Sequence, residues 1–451
     1  MSAPQSVTDE FPAGFKNAFW FAVFNALSFQ IILSSPMVLY AKSIGASATV
    51  LGLIAGMMPL LVIFQIPAAA YVPRIGYKRF VYGGWGMRVM FIFLMALVPM
   101  THGFLNAGAR LALILTLSFL FNLSRGISSC AWLPWITTLI PGHMRGRYLA
   151  GDSACMNAGS CLTFLIAGAL LGDSPGAWQF AAIFGFSALN GAISLEFLKR
   201  IPDAPVASDP SVTSGQPVPW LELASYPPFR KLLRMNVAWS FAVGGQVAFT
   251  AAYLRGMAKM SEGAILIVSS VFFVGGLVSL MVGRRLDRMG SKPALTFSGL
   301  LWFGIITVWL LVAGGTIPLS LNLVVLLQFL MGFANSTFNM GNVRLAMVIS
   351  PEMGRTHFFA LFSVVANITL GLAPVAWGLL IDAFVAVNVQ WSHFALNRYT
   401  IFYFGSGALF ALALFLMRRL DEPKAARVEQ LICEILVTSP QRFWARLLAR
   451  L

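Results

Sequence analysis

Arg125 stands in the run LTLSFLFNLSRGISSCAWLPW, among Leu, Phe and Ile. A guanidinium in such surroundings needs an anionic partner, a carbonyl or a substrate, because an unpaired charge away from water is costly. Amides and indoles are also set into apolar runs: Asn25, Gln30, Asn122, Trp132, Trp135, Asn157, Trp239, Gln246, Gln328, Asn335, Asn339, Asn342 and Asn367. They suit hydrogen bonding and stacking against a polar solute, and they equally suit joining helices to one another. Acids and imidazoles are placed differently. Asp152, Glu196, Glu262 and Asp382 fall near the ends of apolar runs, as do His102, His143, His357 and His393 or the loops beside them. Asp152 is the best-placed protonatable group and the coupling candidate. No nucleophile, metal cluster or acid/base pair points to an enzyme, and no cofactor is expected. Cys130, Cys155, Cys161 and Cys433 lack CxxC spacing and read as small core residues rather than a metal or disulfide framework.

Hydrophobic residues make up 58% of the 451-residue chain and the mean hydropathy is +0.79, well above the roughly 45–50% apolar fraction of soluble domains. A bilayer core about 30 Å thick needs roughly 20 apolar residues per helix. Runs of that kind fall near 17–40, 49–70, 80–100, 108–139, 148–172, 177–198, 231–256, 262–283, 294–314, 318–349, 356–386 and 399–418. The chain therefore reads as an all-α polytopic membrane protein with the bilayer as a partner. The domain reading is a tail over 1–16, a six-helix bundle over 17–198, a Pro- and Ser-rich linker over 199–235 with a short helix at its end, a second bundle over 236–418, and a tail over 419–451. Residues 1–16 lack a basic start leading into an apolar core, so no cleaved signal is expected.

With the N-terminus inside, 24 of the 31 Lys and Arg fall on the cytoplasmic side and 5 outside. That bias places both termini in the cytoplasm of a cell-membrane protein. It also gives the net charge of +15 a topological meaning, and nucleic acid is not an expected partner.

Charge concentrates in GRRLDRMGSK, residues 283–292, and a weaker echo, AAYVPRIGYKR, stands at 69–79. Aligning Asp287 with Pro73 superimposes Arg288 on Arg74, Gly290 on Gly76 and Lys292 on Lys78. Pro141, Arg145, Asn157 and Gly168 line up with Pro351, Arg355, Asn367 and Gly378 at an offset of 210. Asn17-Ala-Phe-Trp20 similarly resembles Asn236-Val-Ala-Trp239. These echoes predict two pseudo-symmetric six-helix halves in the same orientation. A short connection between two spans needs a reversal, which glycine at 76 and 290 supplies through positive φ.

Gly283-x-x-x-Asp287-Arg288-x-Gly290-x-Lys292, its copy at 69–79 and Pro141-x-x-x-Arg145-Gly-Arg147 resemble signatures of the major facilitator superfamily. The resemblance covers about 17–418 and identifies no subfamily. It implies twelve helices in two bundles, alternating access and a small-molecule substrate, with a monomer as the working form. In the family, the acid at position 287 acts as a latch between an arginine and a helix start. Here Arg344 is the expected basic partner and the start of the fifth helix, 148–152, the expected dipole partner. Pro73 has neither charge nor N–H, so one latch remains instead of two. The gating set is thus Arg74, Gly76, Asp287, Arg288, Gly290, Lys292 and Arg344.

The resemblance also turns helices 1, 4, 7 and 10 toward a cavity. The substrate-binding set that follows is Asn25, Gln30, Asn122, Arg125, Trp132, Trp239, Gln246, Gln328, Asn335 and Asn339. Proton-coupled members carry an arginine seven residues earlier, where this chain has Ser118. Arg125 therefore reads either as a substrate or coupling group or as a structural partner of Asp152. Arg88 lies nearer the inner surface and reads as a snorkelling or interdomain arginine. The expected activity is secondary transport of a sugar-like solute or a small organic anion. The alternatives are a multidrug/proton exchanger, weakened by the missing glycine pattern on helix 5, and a sensor that binds without translocating. In the tail, Arg442, Arg446 and Arg450 oppose Phe443, Leu447, Leu448 and Leu451, which predicts a helix on the inner membrane surface.

Overall fold

A computed structural model describes residues 11–12, 14–140, 144–205, 226–349, 355–391, 394–420, 422 and 429–430. Among them are twelve helices long and apolar enough to cross a membrane. In chain order they are α1 (Asn17–Ser43), α2 (Ala48–Ala69), α3 (Tyr77–Gly103), α4 (Ala107–Leu139), α5 (Arg145–Leu171), α6 (Ala177–Arg200), α7 (Pro227–Gly256), α8 (Glu262–Met289), α9 (Ser291–Ala313), α10 (Leu321–Ile349), α11 (Arg355–Ala383) and α12 (Arg398–Arg418). The chain is a multi-pass membrane protein. Helices dominate because in hydrocarbon every backbone N–H and C=O must be satisfied within the segment itself.

Several boundaries have local causes. Asn106 caps α4 by accepting from the Ala109 N–H at 2.8 Å, and Asn397 caps α12 from Tyr399 and Thr400 at 2.9 and 3.1 Å. The helix of α7 starts at Pro227, inside the stretch read as linker, since proline suits the first helical positions. Before α12, β1 (Asn388–Trp391) pairs antiparallel with β2 (Phe394–Asn397), a hairpin that the hydropathy pattern did not suggest.

The chain divides into two compact units, Met1–Met37 with Leu61–Ser214, and Val38–Leu60 with Gly215–Leu451. In the first unit α1 packs on α5 and α6, α3 on α4 and α6, and the end of α2 on α4. In the second, α7 packs on α11 and α12, α9 on α10 and α12, and α8 on α10. Each pairing is the other shifted by six helices, which is the internal repeat in packing form. The equivalent helices α5 and α11 begin at Arg145 and Arg355, the predicted offset. Asn157 and Asn367 each donate to a carbonyl one turn back, Ser153 at 2.9 Å and Ser363 at 2.8 Å.

The start of α2 belongs to the second unit through α11. The Asp382 carboxylate accepts from the Ala48 and Thr49 N–H groups at 2.9 and 2.7 Å and from the Thr49 hydroxyl at 2.6 Å. It thereby satisfies donors that a helix start leaves open. Below it, Gly52 and Gly56 lie so close to Pro374 and Gly371 that any Cβ would strike backbone carbonyl oxygens. Small residues at a crossing permit this approach.

Candidate functional site

The first unit holds a half-open cavity of about 200 Å³ lined by Phe21, Ala22, Asn25 and Phe29 of α1, Trp85 and Arg88 of α3, Arg125, Ser129 and Trp132 of α4, and Asp152 and Met156 of α5. Its walls are aromatic: Phe21 lies 4.9 Å from Trp132 and 6.1 Å from Trp85, centroid to centroid. The Trp85 indole N–H donates to Asn25 Oδ1 at 3.3 Å. That bond fixes both side chains, and among the described residues none accepts from the Asn25 amide N–H groups.

Two guanidiniums meet here. Arg88 is only 4% exposed, with its charge 4.7 Å from the Trp85 ring centre and 5.0 Å from that of Phe121. Cation–π contacts of this kind compensate part of the burial cost. Its Nε is buried without a hydrogen-bond partner. The expectation of a snorkelling arginine is therefore corrected: α3 turns this residue inward beside Arg125 rather than toward the bilayer surface. Arg125 makes no side-chain hydrogen bond or ion pair with any described residue, and Asp152, which lines the same cavity, pairs with neither arginine. The carboxylate of Asp152 takes one hydrogen bond, from the Tyr148 hydroxyl at 3.4 Å. The reading of Arg125 and Asp152 as a structural ion pair does not hold.

Among the substrate-binding candidates, the structure gathers Asn25, Arg125 and Trp132 in the cavity together with Asp152. Gln30 is partly buried and outside its lining. Asn122 is buried and donates to the Ser118 carbonyl one turn back at 2.9 Å. In the second unit Trp239 stacks flat on Phe338, 3.5 Å between centroids. Gln246 donates to Ser406 at 2.6 Å and to the Ala242 carbonyl at 3.0 Å. Gln328 donates to Ser269 at 3.4 Å. Asn236 and Asn342 exchange bonds of 3.1 and 2.6 Å. Asn335 is partly buried and Asn339 exposed. Of the residues that the sequence reading did not assign to the site, Arg88 is the one that carries charge. A charged residue within an apolar run was the signal, and its angular position on α3 was not.

The two polar turns share a backbone and differ in side chains. Gly76 and Gly290 have φ of 89° and 88°, the left-handed region that only glycine adopts without strain. At the α9 start, the Glu422 carboxylate accepts from the Ser291 N–H at 2.8 and 2.9 Å and from the Lys292 N–H at 2.7 Å. The Glu422 side chain is 4% exposed and pairs with Arg344 at 3.1 Å. Arg344 also donates to the Ser291 hydroxyl at 3.0 Å, and Lys292 Nζ to the Arg418 and Leu420 carbonyls at 3.1 and 2.8 Å. Among the described residues no side chain accepts from the first N–H groups of α3, whose N-cap Gly76 has none to offer, and Arg74 is exposed. The side chains of Asp287 and Arg288 lie outside the described residues, as does the tail over 442–451 that the sequence reads as a helix. The sequence reading missed Glu422, because an acid in a tail carries no mark of the helix start it will reach.

Several solved structures share this architecture. A D-xylose–proton symporter is 14% identical with a TM-score of 0.73, over 91% of this chain and 99% of that one. A mutant form of the nucleoside transporter NupG is 13% identical with a TM-score of 0.69, over 91% of this chain and 100% of that one. A bacterial homolog of the human lysosomal transporter Spinster, in an inward-facing and unoccupied conformation, is 13% identical with a TM-score of 0.66, over 91% of this chain and 98% of that one. At these identities the likeness is one of fold. No curated protein sequence matches the chain. The Major Facilitator Superfamily profile matches residues 18–263 and 247–449. With that profile spanning both units, and with packing that repeats every six helices, the chain belongs to the major facilitator superfamily.

Proposed function

We propose that this protein is a secondary transporter that moves a small organic anion by alternating access, holding the anionic group on Arg88 and Arg125. One observation carries the choice of anion: two guanidiniums line one small aromatic cavity and no described carboxylate pairs with either. Like charges drawn out of water oppose each other, and a bound oxyanion removes that cost while accepting their hydrogen bonds in planar, bidentate geometry. A sugar would leave the charges uncompensated. The amides best suited to reading hydroxyls, Gln246, Gln328 and Asn342, are engaged with neighbouring side chains. A cavity of about 200 Å³ is also smaller than the roughly 300–1,000 Å³ typical of drug-sized ligands, which disfavours a multidrug exchanger. The Lys and Arg bias supports a cell-membrane orientation with both termini cytoplasmic.

Uptake into proteoliposomes tests the reading and separates a carrier from a sensor that binds without flux. Arg125→Gln is expected to lower carboxylate uptake by at least about ten-fold, since a charge-assisted hydrogen bond contributes roughly 1.5–3 kcal/mol. Stabilisation of the purified protein by sugars but not by carboxylates, unchanged by Arg125→Gln, would reject the anion.

A further inference from the structure

The cavity holds charge of both signs, and the opposite charges do not meet. Arg88 and Arg125 come from α3 and α4, Asp152 from α5, and no ion pair joins them although all three line the same space. Direct pairing would be the cheapest arrangement for a fixed set of buried charges, because a lone buried charge is strongly destabilising. Here the arginines are steadied by other means, Arg88 over the faces of Trp85 and Phe121. Asp152 has one weak hydrogen bond from Tyr148. A simple anion would answer the arginines, yet it would bring negative charge toward a carboxylate that still lacks a cation.

We infer that the substrate is amphoteric, with a carboxylate or similar oxyanion against Arg88 and Arg125, an ammonium or other N–H donor against Asp152, and a small apolar or planar body along Trp132. This rests on the anion reading above and narrows it. Each ligand end then meets the charge that the protein leaves open. The indole face of Trp132 can also receive the cationic end, and the Asn25 amide adds a donor for the oxyanion. The fit is a matter of reach: a ligand carrying both charges bridges α3 and α4 to α5, whereas a ligand with one charge engages one end of the cavity.

The test uses full-length protein in nanodiscs and matched ligand trios: phenylalanine, 3-phenylpropionate and phenethylamine, then leucine, 4-methylpentanoate and isopentylamine. Binding is read by calorimetry and thermal shift. In at least one trio the amino acid is expected to bind about ten-fold more tightly than its deaminated acid, the weight of one added charge-assisted hydrogen bond, with the amine weakest. Asp152→Asn should reduce that ratio to about two-fold or less while the acid still binds, and Arg125→Gln should weaken acid and amino acid alike. Equal binding of acid and amino acid, or a ratio that Asp152→Asn leaves intact, overturns the amphoteric assignment and leaves the anion reading standing. If no acid or amino acid binds in an Arg125-dependent way, both readings fall. The ratio in the unaltered protein needs no variant, so a poorly folding Asp152→Asn does not obscure the result.

Discussion

The two units are built on one packing plan and place their polar side chains differently. In the first, Arg88, Arg125, Asp152 and Asn25 line a cavity, and Arg88 Nε has no hydrogen-bond partner. In the second, Asn236 is bonded to Asn342, Gln246 to Ser406 and Gln328 to Ser269, around an aromatic core in which Trp239 lies flat on Phe338. The turns reverse the pattern. The second unit's turn is clasped by Glu422, Arg344 and Lys292, and no described side chain accepts from the first N–H groups of the first unit's α3. Helix packing survives divergence between repeats because it needs only apolar surface and small residues at crossings. Polar pairing needs particular partners, so it is where duplicated halves come to differ.

The contrast can be broken most sharply at the tryptophans. Trp239→Ala is expected to destabilise the protein by about 3–5 kcal/mol, the usual cost of emptying a packed aromatic site, read as a lower melting temperature. Trp132→Ala enlarges a space that already exists, so it should cost clearly less stability and show its effect in substrate affinity. Equal losses of stability would mean that the first unit's cavity is no more open than the second unit's core.

A smaller effect sharpens the comparison of the turns. Glu422→Gln keeps the shape and removes the charge that three hydrogen bonds to N–H groups and Arg344 depend on, so a loss of about 1–3 kcal/mol is expected. Asp203→Asn, at the matching place after α6, should change the melting temperature little, since its one described bond is to the neighbouring Ala204 N–H. Similar shifts from both would refute the one-sided clasp.

The smallest effect tests the part that stayed symmetric. Asn157→Ala and Asn367→Ala each remove a hydrogen bond to the carbonyl one turn back, with a weaker one from Asn367 to the Ser363 hydroxyl at 3.2 Å, and within membranes such bonds average about 0.6 kcal/mol. Equal, small shifts in melting temperature are expected. A large loss from one of the two would reveal a partner that the other half lacks.

Much of this was legible beforehand. Twelve spans follow from segment length and composition, because the bilayer demands a fixed run of apolar residues and internal backbone bonding. The repeat was legible in Gly76 and Gly290, whose positive φ no other residue would hold as well, and in Asn157 and Asn367. The cavity was legible only in part. Arg125 announced itself by charge alone, and Asn25, Trp132 and Asp152 stand on helices that line it. Gln246, Gln328 and Trp239 had equal claims as polar or indole groups within spans, and nothing along the chain says that Ser406, Ser269 and Phe338 will meet them.

What the sequence determined by itself is therefore what local and bulk properties decide: span number, the reversal at each glycine, and the duplicated plan. The tertiary structure alone decided that Arg88 turns inward to Arg125, that Asp152 lines the same cavity without pairing with either, and that Glu422 reaches the α9 start across 131 residues of chain. These depend on how each helix is rotated and which neighbour it meets, and that rotation is set by packing over whole faces rather than by any one residue.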